Sequence, residues 1–382
     1  MRDVIKTICK DRKNRWLLVW PAALIMYISA RLSVSLAEYL YARGIYRVYG
    51  TVVSFLTGLL PFSLAEVLLI MFPIFVLAVV VRGIIRIVRG RGVRIIRTAD
   101  LIRLLLIIVG VILLWFMIGA GTNYYRYEYS HFSGLEIRKS SREELCELCR
   151  ELAVKANEAR VKAVEACRET DADGDSRAAY VSPYSDSELA YQAKLAMEKL
   201  GSTQDVLKGY YPKPKSVIFS RVMSEFNITG VYFPWTVEAN VNVDVPDYSR
   251  GVTLCHELSH LRGFMREDEA NYIGYLACVG SDCPELVYSG YMLALIHAGN
   301  KLYAESADMY FEQLYPLYSE GVRADMTAAN EYWDQFKETV LSEVGEKMND
   351  TYLKANNQTD GTKSYGRMVD LLLAERRAGL KE

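Results

Sequence analysis

The sequence predicts an α+β protein in which N-terminal transmembrane helices precede a mostly helical domain with a small β-sheet. Residues 1–121 are apolar and basic with almost no acidic residues, whereas residues 122–382 are polar, acidic and rich in tyrosine. A single tract near residues 210–246 is rich in β-branched and aromatic residues, and helical periodicity surrounds it. We therefore divide the 382 residues into a membrane anchor, 1–121, and a second domain, 122–382.

The anchor contains about three candidate transmembrane helices. They extend from Trp16 to about Ala30, from about Leu64 to Val81, and from about Leu104 to Gly121. A bilayer core requires roughly 20 apolar residues in a helix. The second and third segments reach that length with their flanks, whereas the first is short and contains a proline.

Basic residues predict the orientation of this anchor. They precede the first span (Arg2, Lys6, Lys10, Arg12, Lys13, Arg15) and separate the second from the third (Arg82, Arg86, Arg89, Arg91, Arg94, Arg97). By the positive-inside rule the N-terminus lies in the cytoplasm, and residues 122–382 lie outside a cell membrane that the chain crosses several times. The lipid bilayer is thus an expected partner. The net charge of −1 gives no support for a nucleic-acid partner.

The second domain begins with helices and then changes to strands. Ser141 and Glu144 form a predicted capping box that opens a helix to about Glu169. The further predicted elements are a helix at 185–200, strands at 216–222, 230–235 and 237–243, and mostly helix from about residue 248. Six of the seven cysteines fall in this domain, where disulfides are possible. We interpret the CxxC pair Cys146 and Cys149 as structural.

The segment TLCHELSH contains the candidate metal-binding and catalytic residues. His256, Glu257 and His260 fit the pattern HExxH. Residues four apart on a helix lie one turn above each other on the same face, so both imidazoles can reach one Zn²⁺ ion. Glu257 then lies where it can act on a water as the catalytic glutamate. Zinc is therefore the expected cofactor.

A third metal ligand is expected shortly after this motif, because catalytic zinc sites use three protein ligands and an open position. Gly263 allows the first helix to end, and a new helix starting near Arg266 would direct Glu267 back at the metal. Asn271, four residues further on, could orient a ligating imidazole. Glu269 is the alternative third ligand.

HExxH followed by ExxxN resembles the gluzincin metallopeptidases. Three stretches, GVYFPWTVEANVN, HELSHLRGFMREDEAN and MNDTYLKANNQTDGTKSYGRMVDLLLA, resemble a bacterial membrane family of unknown function (domain of unknown function 3810) that is regarded as zinc metallopeptidases. The resemblance covers nearly the whole chain. It implies a zincin-like fold with His256, His260 and Glu267 as ligands and Glu257 as the catalytic glutamate. Asn271 stands where gluzincins have Asp. The spacing to the third ligand is closer to that of metzincins, which would place Arg266, a residue that cannot bind zinc, at that position.

These observations predict a membrane-anchored zinc metallopeptidase that hydrolyses peptide bonds of a peptide or protein substrate. Tyr288 and Tyr291 are candidate oxyanion donors. The strand at 230–235 is expected to lie beside the site as a sheet edge, which either pairs with substrate or packs as an ordinary edge strand. Glu238, Asn240 and Asn242 are expected to line the cleft. Two alternatives remain: a non-catalytic zincin-like peptide-binding sensor or scaffold, and a zinc amidase acting on cell-wall peptides. The polar flanks of HELSH disfavour an intramembrane protease.

Overall fold

The computed structural model describes residues 14–89, 94–168, 178–358 and 367–380. Its N-terminal part contains helices α1 (Val19–Leu32), α2 (Arg47–Gly58), α3 (Leu64–Arg89) and α4 (Arg94–Gly119). Among the described residues, two segments, Leu64–Arg89 and Thr98–Gly119, are long and apolar enough to cross a membrane. Only 6% and 11% of their most apolar windows are buried, unlike a core helix of a soluble protein. The basic residues before position 14, and Arg91, lie outside the described residues.

The first predicted span is shorter than the other two. Helix α1 has 14 residues and follows a 3-10 turn at Asn14–Leu18. Pro21 lies in the first turn of α1, where a backbone N–H would have no partner within the helix, so the proline is tolerated there. Of the three predicted spans, only the second and third therefore reach the length of a membrane-crossing helix.

Helix α1 nevertheless lies alongside α4 and runs in the same direction. Near its start, Trp20 Nε1 donates a hydrogen bond to the Leu106 carbonyl at 3.0 Å. Near its end, the ring of Tyr27 lies 6.0 Å from that of Tyr125, just beyond α4. Both helices therefore begin at the same end of the helical bundle.

A π-helix, Leu36–Tyr46, follows α1 and continues into α2. Its buried residue Glu38 accepts hydrogen bonds from Arg43 Nε at 2.7 Å and from Arg126 Nε and Nη2 at 2.9 Å each. The hydroxyl of Tyr46 donates to the carbonyl of His260 at 3.0 Å. The N-terminal helices are thus packed against the part of the chain that carries HELSH.

Helices α5 (Tyr129–Ser133), α6 (Arg142–Arg168) and α7 (Asp186–Thr203) come next. The predicted capping box at the start of α6 is confirmed: Glu144 N donates to Ser141 Oγ at 3.2 Å, and Ser141 N donates to Glu144 Oε2 at 3.3 Å. Ser185 caps α7 through the same reciprocal pattern with Glu188. Local sequence chemistry therefore sets where both helices begin.

The sheet has three short strands, β1 (Lys215–Ser216), β2 (Gly230–Phe233) and β3 (Glu238–Val241), in the order β1-β3-β2. Strand β1 is parallel and β2 antiparallel to β3. The prediction of a strand at 216–222 is wrong beyond Ser216, because helix α8 (Ser220–Glu225) occupies that stretch. The N–H groups of Ile218 and Phe219 donate to the Glu66 carboxylate, at 3.1 and 3.0 Å, and so are taken by α3 instead of a neighbouring strand.

The polar residues of β3 do not line a cleft as expected. Glu238 is buried, and its two carboxylate oxygens accept from Leu64 N at 3.1 Å and Ala65 N at 2.9 Å. Asn240 Oδ1 accepts from Ser63 Oγ at 2.6 Å. A carboxylate at a helix N-terminus satisfies free N–H groups and complements the helix dipole, so these residues dock the sheet onto α3.

The remaining helices are α9 (Asp247–His260), α10 (Glu267–Val279), α11 (Pro284–Glu305), α12 (Ala307–Met309), α13 (Glu320–Asp334), α14 (Val340–Ala355) and α15 (Met368–Gly379). Helices α9, α10 and α11 form the centre of the main hydrophobic core, with α6 and α7 around them. The mostly helical character with a small sheet is thus confirmed. The thiols of Cys146, Cys149, Cys255, Cys278 and Cys283 are buried and free.

Candidate metal centre

The HELSH residues occupy the last turns of α9. His256 and His260 lie on the same face, and their Nε2 atoms are 3.2 Å apart. Gly263, which has a φ of 82°, then reverses the chain in the left-handed conformation that favours glycine. Helix α10 begins at Glu267, so its first residue points back at the two imidazoles.

Glu267 completes a group of three side chains that could hold a metal ion. Its Oε2 lies 3.2 Å from His256 Nε2 and its Oε1 lies 4.0 Å from His260 Nε2. One ligand atom from each of the three residues lies within 4.8 Å of the others. Ligands of a tetrahedral zinc ion stand about 3.3 Å apart when the bonds are about 2.0–2.1 Å long. The three donors are thus spaced for a small divalent cation.

Hydrogen bonds at the far side of each imidazole direct Nε2 toward the cluster. Nδ1 of His256 lies 2.8 Å from Asn271 Oδ1, and Nδ1 of His260 lies 2.7 Å from the carbonyl of Phe264. Both partners are acceptors, so each Nδ1 carries the proton and each Nε2 presents its lone pair. At 3.2 Å the two Nε2 atoms repel each other unless a proton or a metal ion lies between them. The geometry therefore fits a metal bound at Nε2, with Asn271 in the orienting position that the sequence predicts.

The pKa values of the two histidines are shifted in opposite directions. Burial alone would lower the pKa of His256, but the adjacent Glu267 carboxylate, with Glu257, raises it to about 9. Burial lowers the pKa of His260 to about 4. In the metal-free protein a proton on His256 thus takes the place of the cation. A metal ion must displace that proton, so metal binding is coupled to pH.

Glu257 lies between the cluster and strand β2. Its Oε1 is 4.0 Å from His256 Nε2, and burial raises its pKa to about 8. The N–H of Tyr232 donates to the Glu257 carboxylate, so the edge of β2 that does not pair with β3 faces the site. A Cβ at Gly230 would come within 2.4 Å of Glu257 Oε1, and glycine is therefore required for this close approach.

The other predicted site residues lie elsewhere. The Oε1 of Glu269 accepts from Tyr129 N at 2.7 Å and lies 3.6 Å from Arg266 Nη1. This carboxylate therefore binds the first N–H group of α5 instead of serving as third ligand. The buried hydroxyl of Tyr288 donates to Asp325, which leaves it unable to serve an oxyanion.

The ring of Tyr291 likewise packs against neighbouring side chains. Its ring contacts Tyr275 at 6.2 Å and lies under the Lys155 ammonium at 5.8 Å. The prediction of Tyr288 and Tyr291 as oxyanion donors rests only on their position in a helix that follows the motif. That helix, α11, presents both residues to neighbouring core helices.

Sequence reasoning missed the residues that surround the cluster from distant parts of the chain. Tyr46 and Tyr232 share a hydrogen bond at 2.9 Å, and the Tyr232 ring lies 5.9 Å from that of His260. Gln358 Oε1 accepts from Glu267 N at 3.4 Å and so caps the start of α10. None of these residues lies in a recognisable motif. Gln358 lies in the polar run NNQTD, which gives no sign of a contact with α10.

The donor set can therefore hold one divalent ion. Two imidazole nitrogens and a carboxylate oxygen suit zinc and leave a fourth tetrahedral position open. Glu257 Oε2 is buried and has no hydrogen-bond partner within the described part of the chain. A buried carboxylate oxygen without a donor is costly, which indicates that a further group, such as a water, belongs beside it.

Comparison with known proteins identifies the family. Residues 41–373 match the family described as "Protein of unknown function (DUF3810)", and the chain belongs to it. No curated protein and no solved structure matches the chain.

Proposed function

For this member of the family, we propose the function of a membrane-anchored zinc metallopeptidase, with the domain at residues 122–382 outside the cytoplasm. The observation that carries the proposal is the convergence of His256, His260 and Glu267 on one point, with Glu257 beside them. This combination supports hydrolysis in particular, because Glu257 makes no contribution to a merely structural three-ligand site.

The residues around the site suit peptide-bond hydrolysis. Zinc held by the three side chains would supply a Lewis acid that lowers the pKa of a water and polarises the scissile carbonyl. Glu257, whose Oε1 lies 4.0 Å from His256 Nε2, would accept the proton of the attacking water as a carboxylate and pass it to the leaving amine. The edge of β2 that does not pair with β3 would hold an extended peptide by strand addition beside Glu257.

Anchoring in the membrane is proposed from α3 and α4. Their exposed apolar surfaces suit lipid, and the connection between them is flanked by Arg82, Arg86, Arg89, Arg94 and Arg97. By the positive-inside rule this connection is cytoplasmic. The opposite ends, where Glu238 caps α3 and the domain at 122–382 begins, then lie on the outer side.

The test is peptide cleavage by the full chain purified in detergent and loaded with one equivalent of zinc. Wild-type protein and Glu257→Gln are incubated with a mixed peptide library, and new termini are identified by mass spectrometry. We expect new termini with the wild type only, and equal zinc content in both proteins. If zinc-loaded wild type binds peptides without cleaving them, the protein is a scaffold. If it cleaves only cell-wall peptides, it is an amidase. Either outcome overturns the proposal.

A further inference from the structure

Helix α14 has three distinct faces. Ser342, Gly345 and Leu353 are buried; at Gly345 a Cβ would lie 2.2 Å from the carbonyl oxygen of Phe226. A second face carries the exposed residues Glu343, Lys347 and Lys354 and the half-buried Asp350. The third face is an exposed apolar stripe composed of Val340, Leu341, Val344, Met348 and Tyr352. At helical spacing this stripe lies beside the buried face and away from most of the charges.

The exposure of the stripe is large for a water-soluble surface. Val340 is 77% exposed and Met348 is 65% exposed. Scattered apolar residues on a surface need no explanation, but a contiguous stripe along one helix marks a surface that another apolar phase covers.

The position of α14 in the fold indicates what covers the apolar stripe. The ring of Tyr352, at one end of the stripe, packs at 6.4 Å against Phe116 in the last turns of α4. Its hydroxyl accepts from Tyr124, just beyond α4, at 3.0 Å. The stripe therefore starts at the level where α4 ends.

The other half of α14 is tied to the start of α3. Asn227 Nδ2 donates to Ser342 Oγ at 3.2 Å, which places this half beside the chain that follows α8. The segment before α8 is bound to Glu66 in the first turn of α3, and its side chains Ile218 and Phe219 are themselves exposed. Both halves of α14 are thus connected to the same ends of the two long apolar helices.

Aromatic side chains mark this level as a membrane interface. Trp235 Nε1 donates to the carbonyl of Ile112 at 3.2 Å, and Trp115 Nε1 donates to Tyr49 at 2.6 Å. Ile112 is seven residues before the end of α4 at Gly119, about 10 Å along the helix. Trp and Tyr concentrate where hydrocarbon meets headgroups, so the β2–β3 turn reaches into the same layer.

We propose that α14 is an interfacial helix whose apolar stripe lies in the outer leaflet of the bilayer. Its length of 16 residues, about 24 Å, and its separate charged face suit a helix lying in the membrane plane. Since Gln358, shortly after this helix, accepts a hydrogen bond from Glu267 N, the metal centre lies close to the end of α14. This inference rests on the anchoring through α3 and α4 proposed above.

The test is photo-crosslinking of the full chain in nanodiscs made of equal amounts of phosphatidylethanolamine and phosphatidylglycerol. The photoreactive residue p-benzoylphenylalanine is placed at Met348 on the stripe, at the adjacent Lys347 on the charged face, or at Leu69 on the exposed face of α3. Lipid adducts are quantified by mass spectrometry. We expect adducts at positions 348 and 69, with roughly tenfold less at position 347.

The three labelled positions distinguish a failure of the interfacial-helix proposal from a failure of the anchoring proposal. Adducts at 69 but not at 348 would overturn the interfacial helix and leave the anchoring intact. Absence of adducts at 69 would overturn the anchoring itself. If position 348, labelled in native membranes, cross-links to a protein instead of lipid, the stripe is a protein interface and the proposal is wrong. Equal Tm values of the three labelled proteins and the wild type show that each is folded.

Discussion

The side-chain oxygen of Asn271 lies 2.8 Å from Nδ1 of His256, while the opposite nitrogen of that imidazole faces His260 and Glu267. Asn271 Oδ1 fixes the ring by accepting the Nδ1 proton. We expect Asn271→Ala to weaken zinc binding about 10–100-fold with all three ligands still present. Asn271→Asp, which keeps the acceptor, should retain affinity. Competition with a chromophoric chelator measures both, and unchanged affinity in Asn271→Ala would contradict this role.

The ligand set itself is tested by metal content. We expect one zinc ion per full-length chain by mass spectrometry, and loss of that zinc in His260→Ala and in Glu267→Ala. Glu269→Gln is the matched control, because the Glu269 carboxylate binds the Tyr129 N–H and should leave zinc in place. Loss of zinc in Glu269→Gln with retention in Glu267→Ala would reverse the assignment of the third ligand.

Gly230 is expected to tolerate no side chain. In Gly230→Ala the added Cβ would lie 2.4 Å from Glu257 Oε1, so strand or carboxylate must move. We expect hydrolysis to fall at least about tenfold, since a small displacement of a catalytic group carries such a cost, while zinc content stays unchanged. Gly379→Ala is the control, because nothing lies near its Cβ. Full activity in Gly230→Ala would show that Glu257 is not held by β2.

Glu38 is expected to be essential for docking the π-helix. It is fully buried between Arg43 and Arg126, and removing one partner of a buried ion pair costs about 3–5 kcal/mol. Glu38→Ala should therefore lower the Tm of the detergent-solubilised chain by several degrees. Lys199→Met, which removes a pair exposed to solvent, should change the Tm little. Equal decreases in Tm for Glu38→Ala and Lys199→Met would show that the buried ion pair stabilises the fold no more than the exposed one.

The buried carboxyl of Glu285 is expected to make the free energy of unfolding depend on pH. Burial raises the pKa of Glu285 to about 7, against the hydrogen bonds donated by Ser182 and Tyr180. The folded protein therefore holds this proton more tightly than the unfolded chain, and the free energy of unfolding decreases as pH rises from about 4.5 to about 7.

Glu285→Gln removes that contribution. The Tm of Glu285→Gln relative to wild type should accordingly increase between pH 5 and pH 8. The exposed Asp282→Asn serves as the control, and its Tm difference from wild type should be constant over this range. A Tm difference for Glu285→Gln that does not change with pH would contradict the raised pKa.

The sequence by itself determined the elements whose signals are local. Capping at Ser141 and Ser185, the two long apolar helices and the HExxH spacing depend on residues within one or two helical turns of each other. The turn at Gly263 and the position of Asn271 were also accessible, because a glycine and an i, i+4 relationship define them. The same turn predicted Glu267 as the third ligand, and the resemblance to the family implied the same residue.

Tertiary structure decided what depends on contacts between distant residues. Glu66 captures the N–H groups of Ile218 and Phe219 and so replaces most of a predicted strand. Glu238, which alternation placed in a cleft, caps α3 instead. Tyr288 is committed to Asp325, and Gln358 reaches Glu267. Local propensity contains no information about such partners, because a buried polar group takes whichever donor or acceptor the packing of helices brings to it.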